Sequence, residues 1–128
     1  MNDVIERRRI LAPVANPERR LDYLVMLTGG LETTHGRAVS VAIRYVPDAQ
    51  IVSAENVWAY LAVIAEADWQ SLEALAATVM ADFADETVAR WIEVTVASAE
   101  DDLPRHQVTL VDRQPGWDNP PLISGAKG

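Results

Sequence analysis

Between Arg37 and Val46 the side chains alternate without a break, with Val39, Val41, Ile43 and Tyr45 on one side and Ala38, Ser40, Ala42 and Arg44 on the other. A period of two, rich in β-branched residues, fits an extended strand and no helix. The chain therefore contains a sheet with a strongly apolar face, and that face needs a second layer to cover it. Pro47-Asp48 ends the strand, because proline donates no ladder hydrogen bond and aspartate favours a turn.

The rest of the chain supplies the partners. Tyr23, Val25 and Leu27 interleave with Leu24 and Met26, so Leu21 to Thr28 reads as an earlier strand, apolar on both faces and ended by Gly29-Gly30. Ser53 is placed to cap a helix in which Val57, Leu61 and Ile64 share a face and which runs to about Glu66. Asp68 reads as the cap of a second helix, whose stripe is Leu72, Leu75, Ala76, Val79, Met80 and Phe83. Trp91, Glu93 and Thr95 alternating with Ile92, Val94 and Val96 predict a third strand. A fourth, His106 to Arg113, follows the acidic loop Glu100-Asp101-Asp102.

The order is ββααββ. It predicts an α+β domain over residues 21–114, with a four-stranded antiparallel sheet and two helices on one face. Residues 1–20 carry Arg7-Arg8-Arg9, Pro13 and Pro17 and read as an irregular, solvated arm. Residues 115–128, with Pro115-Gly116 and Pro120-Pro121, read as a loose tail. Apolar groups on the second face of the sheet predict self-association, as a homo-oligomeric ring that also removes the sheet edges.

Composition narrows the chemistry. The chain has no cysteine, which excludes thiolate nucleophiles, disulfides, iron–sulfur clusters and cysteine-bound zinc. A net charge of −8 opposes a phosphate backbone, so no nucleic-acid partner is expected. The N-terminus lacks the apolar run of a signal peptide, and no apolar run reaches the roughly 18 residues of a membrane span. A cytoplasmic location with no membrane partner is the expectation.

The segment Glu32-Thr33-Thr34-His35-Gly36-Arg37 gathers an acid, two hydroxyls, an imidazole and a guanidinium between two strands. Loops on a rigid scaffold commonly carry sites, although a polar hairpin loop also has this composition. His35 suits general-base work if Glu32 orients it. Trp58, Trp69, Trp91 and Trp117 offer aromatic faces, and the spacing of Trp69 and Trp91 suits core or interface. Glu100, Asp101 and Asp102 lack the spaced ligands of a calcium loop, and no metal is expected.

Several local strings resemble the 7-cyano-7-deazaguanine reductase (nitrile reductase) family, within the tunnelling-fold group that includes GTP cyclohydrolase I. Ile43-Arg44-Tyr45-Val46-Pro47-Asp48 is similar to that family's second strand and turn, Arg90-Trp91-Ile92-Glu93-Val94 to its third strand. Tyr60-Leu61 sits at the end of its first helix and Pro104-Arg105 at a Pro-Arg-Gly-Gly turn; the resemblance spans about residues 16–114. It implies that Glu73 occupies the place of the glutamate that anchors a purine-like base, and that the loop bearing Thr34 and Arg37 faces an intersubunit pocket. The family's histidine is Leu72 here, its nucleophilic cysteine aligns near Gly30 and its assisting aspartate near Arg37. Glu55 and Trp58 stand where lysines meet the nicotinamide cofactor, so no cofactor is expected. Other tunnelling-fold chemistries lose essential groups too, since Lys127 is the only lysine and His35 and His106 the only histidines.

Three readings follow: a module that binds a purine- or pterin-like ring through Glu73, Arg37 and Thr34; an enzyme of altered acid–base chemistry using His35 or Glu32; and a non-catalytic assembly subunit. A glutamate in a first helical turn also suits the helix macrodipole without any ligand.

Overall fold

The computed structural model describes residues 4–99, 101 and 103–125. Glu100, Asp102 and Lys127, singled out in the sequence, lie outside the described residues. In chain order the elements are α1 (Val4–Arg9), β1 (Val14–Ala15), β2 (Val25–Glu32), β3 (Ala38–Val46), β4 (Gln50–Ile51), α2 (Ala54–Ile64), α3 (Leu72–Thr87), β5 (Trp91–Ser98), β6 (Gln107–Arg113) and α4 (Pro120–Gly125).

The class is α+β, as the sequence predicts. Antiparallel strands run in the order β2-β3-β5-β6, and β1 pairs separately with β4. Register places Val25, Leu27 and Leu31 beside Tyr45, Ile43 and Val39, and these beside Ile92, Val94 and Ser98. The apolar face packs under α2, which covers β2, and α3, which covers β5 and β6. Val41, Ile43, Tyr45, Leu61, Leu75, Val79, Phe83 and Val94 are 2% exposed or less, so the core is the seam between sheet and helices. Tyr45 and Phe83 meet edge to face at 4.9 Å between centroids, a favoured aromatic geometry.

Four expectations need correction. First, β2 continues through Gly29 and Gly30, which pair with Val41 and Ser40, rather than ending there. A Cβ on Gly29 would lie 3.1 Å from Leu61 Cδ1 and 3.7 Å from the Trp58 ring, so the missing side chain lets α2 approach the strand. Second, Ser71, not Asp68, caps α3, with Oγ accepting from the Ala74 N–H at 3.0 Å. Ser53 caps α2 as predicted.

Third, the N-terminal segment is not an irregular solvated arm. It forms α1 against α2 and α3, with Leu11 fully buried. Two of the arginines in the triplet converge on Asp82, itself without exposed surface: Arg7 Nε donates to Oδ2 at 2.6 Å and Arg8 Nε to Oδ1 at 2.7 Å. Tyr60 Oη donates to the same carboxylate at 2.5 Å. Fourth, the C-terminal segment folds back: Trp117 Nε1 and Asn119 Nδ2 both donate to Asp22 Oδ2, at 3.2 and 3.1 Å. Trp91 and Val111 share a cleft with Trp117, Pro120 and Ile123.

The second face of the sheet is mixed. It presents Ser40, Ala42, Thr95 and Thr109 together with the exposed Met26 and Val111, and Arg44 and Glu93 are paired at 2.7 Å in its middle. The Arg44 guanidinium lies 5.2 Å from the Trp91 ring centroid, and its Nη1 and Nη2 are buried without an acceptor.

Candidate functional site

The loop joining β2 to β3 is a tight turn. Thr33 N–H donates to Arg37 O at 2.8 Å, Gly36 N–H donates to Thr33 O at 2.9 Å, and the Arg37 N–H donates to Thr33 Oγ1 at 3.2 Å. Gly36 has φ +80°, a conformation glycine adopts without penalty. The turn holds Thr33, His35 and Arg37 toward the start of α3. There Trp69 is fixed by donating Nε1–H to Ile64 O at 2.7 Å, and the Ser71 cap sets the first turn. The third wall is His106, whose N–H donates to Ser98 Oγ at 3.0 Å while the Ser98 N–H donates to His106 O at 2.8 Å.

These elements enclose a cavity of about 550 Å³. Val39, Trp69, Leu72 and Leu75 give it an apolar floor, and Thr33, His35, Arg37, Gln70, Ser71 and His106 a polar rim. An apolar pocket with few convergent polar groups is the usual form of a small-molecule site.

Two imidazole–carboxylate pairs flank the opening. His35 Nε2 lies 2.8 Å from Asp68 Oδ1, and His106 Nε2 lies 3.2 Å from Glu73 Oε2, each N–H donating to the acid. The Glu73 carboxyl is held below its ordinary range, chiefly by its own backbone N–H at the helix start, against desolvation and with help from His106. Its charge is thus stabilised while the side chain stays exposed.

The structure gathers some of the singled-out residues and separates others. His35 and Arg37 line the cavity, whereas the hydroxyl on its wall is that of Thr33, with Thr34 exposed beside it. Glu32 is exposed at the end of β2, and the carboxylate that meets His35 is Asp68. Glu73 does not line the cavity and touches it only by its hydrogen bond to the lining residue His106. Gly30 and Glu55 are not among the lining residues, and Trp58 lies 64% exposed beside Gly29. Asp68, Trp69, Gln70 and His106 were missed as site residues. The run Asp68-Trp69-Gln70-Ser71 between two helices was the available signal, since an inter-helix loop of polar and aromatic residues has more to do than turn. For His106 no local signal exists, because Glu73 lies 33 residues away in sequence.

Among the described residues no group of three or more His, Asp or Glu side chains gathers to hold a metal ion. No helix among them is long and apolar enough to cross a membrane.

No protein-family model matches the chain. No curated protein matches it either. Among solved structures, an archaeosine synthase QueF-Like protein in its apo form superposes with a TM-score of 0.60 at 16% identity, over 72% of this chain and 95% of that one. At that identity the likeness is one of fold, and it agrees with the element order and the sheet register: the chain has an α+β tunnelling fold of the QueF-like kind.

Proposed function

We propose that this chain binds a purine- or pterin-like heterocycle in the cavity between the β2–β3 turn and the start of α3, at an intersubunit pocket of a homo-oligomeric ring, and does not reduce nitriles. The observation that carries the reading is an apolar-floored cavity with an aromatic wall, whose lining residue His106 is hydrogen-bonded to the exposed Glu73 carboxylate. A guanine- or pterin-type edge offers adjacent N–H donors, which a carboxylate accepts as a pair, and the ring face is suited to stacking on Trp69. The volume of about 550 Å³ suits a small ligand. Arg37 and Thr33, with Thr34 beside it, supply further polar contacts. The free edges of β2 and β6, each with one partner strand, support ring closure between copies.

Loss of reductive chemistry follows from the residues. Covalent capture of a nitrile needs a soft nucleophile, and the chain has no cysteine. Glu55, in the first turn of α2, opposes a cofactor phosphate. The purified protein is expected to leave 7-cyano-7-deazaguanine unchanged in the presence of NADPH, and nitrile-dependent NADPH consumption with formation of the primary amine would refute this. A thermal-shift screen of guanine, deazaguanine and pterin compounds tests binding itself; a well-folded sample that responds to none of them contradicts the reading.

A second reading has its own support. His35 faces the cavity with Nε2–H engaged by Asp68, which leaves Nδ1 as a base toward a bound ring. In that case the protein is an acid–base enzyme on the heterocycle, without metal or nicotinamide. Turnover that survives His35→Ala would dismiss it.

A further inference from the structure

A second depression of about 510 Å³ adjoins the first and shares Arg37 and His106 with it; Ser98, Leu103, Pro104 and Arg105 complete its lining. In an acidic chain most arginines find a carboxylate. Arg7, Arg8, Arg19, Arg44, Arg90 and Arg113 each do so. Among the described residues Arg9, Arg20, Arg37 and Arg105 form no ion pair, and Arg37 and Arg105 line the same depression.

Glu73 is engaged by His106, and Asp68 by His35 and Gln70. Ser98 Oγ accepts from the His106 N–H, so its own hydroxyl hydrogen remains available to donate. Two guanidinia and a hydroxyl around a polar hollow form a set of donors. Guanidinia bind phosphate through paired, charge-assisted hydrogen bonds.

We infer that the second depression takes a phosphate group, so that the ligand is a phosphorylated heterocycle, its ring in the first cavity and its phosphate between Arg37 and Arg105. This rests on the heterocycle reading for the ring and on the two arginines for the phosphate. The ligand is a free nucleotide-like molecule rather than a polynucleotide, because the net charge of −8 opposes a long phosphate chain.

Calorimetric titration of the full chain with guanine, guanosine, guanosine 5′-monophosphate, inorganic phosphate and a short RNA separates the two ideas. The monophosphate is expected to bind about tenfold or more tighter than guanosine, and Arg105→Gln, at a position outside the first cavity, to remove that advantage while leaving guanosine affinity unchanged. Equal affinity for the monophosphate and guanosine overturns the phosphate subsite and leaves the heterocycle reading intact. If no heterocycle binds, inorganic phosphate binding that depends on Arg105 still supports the subsite, and no phosphate response overturns it. RNA binding tighter than the monophosphate overturns the free-ligand assignment. Because Arg105 is exposed and unpaired, the variant is expected to keep the wild-type circular dichroism.

Discussion

Asp82 lies where α1, α2 and α3 meet, fully buried and accepting from Arg7, Arg8 and Tyr60. Burial alone would raise its carboxyl pKa, but the donors from Arg7, Tyr60 and Arg8 outweigh burial and hold it below the ordinary value. The Tyr60 hydroxyl is pushed far above its usual range, by burial first and by the adjacent carboxylate second. A depressed carboxyl contributes stability that is fully present above its unfolded pKa of about 3.9 and is lost as pH falls through the folded value. Urea midpoints are therefore expected to fall on acidification below about pH 4, more steeply in the wild type than in Asp82→Asn. At neutral pH, Asp82→Ala should destabilise by about 3 kcal/mol, near the low end for breaking a buried pair because Arg7 and Arg8 keep some exposure and can rehydrate. An unchanged urea midpoint in Asp82→Ala would contradict this account of α1. None of it was legible in the sequence. Asp82 reads as one polar residue beside an apolar stripe, and its arginine partners lie 74 and 75 positions away, in a segment whose prolines suggested an irregular arm.

The elements themselves were the legible part, because a period of two or 3.6 is a local property of the chain. Strand β3, both helices and β5 lie close to where their patterns place them. The misread strand is β2, where a glycine pair looks like a terminator until α2 is known to press on it. Gly29→Val should destabilise by about 1–3 kcal/mol through overpacking against Leu61 and Trp58. Gly30→Val, whose Cβ would meet only the Val39 carbonyl at 3.4 Å, should be tolerated, as compared by denaturant midpoints. A like test applies at the end of α3, where Val88 takes φ 47° with its side chain exposed. A β-branched residue is strained in that left-handed conformation, so Val88→Gly is expected to stabilise by about 0.5–1 kcal/mol. A loss of stability there would remove strain from the account.

At the scale of the whole molecule, the site arises where three distant pieces of chain meet: the β2–β3 turn, the start of α3 and the start of β6. Sequence reading singled out the turn, since polar residues between two strands draw attention, and singled out Glu73 by resemblance. It paired His35 with Glu32, its neighbour in sequence, whereas antiparallel alternation at the end of β2 and the inter-helix loop bring Asp68 instead. Assembly belongs to this scale as well. With β2 and β6 as open edges, light scattering is expected to give a mass that is a multiple of 14.1 kDa, and a strict monomer would remove the intersubunit pocket from the proposal.

The central claim, that Glu73 anchors a flat heterocycle at this cavity, is tested most directly by titrating wild type and Glu73→Gln calorimetrically with the tightest guanine- or pterin-type compound from the thermal-shift screen. The account predicts saturable binding by the wild type and a loss of affinity of about tenfold or more in Glu73→Gln, the scale of a charge-assisted hydrogen bond. Equal affinities for the two proteins, or no binding by a folded wild type, would contradict it.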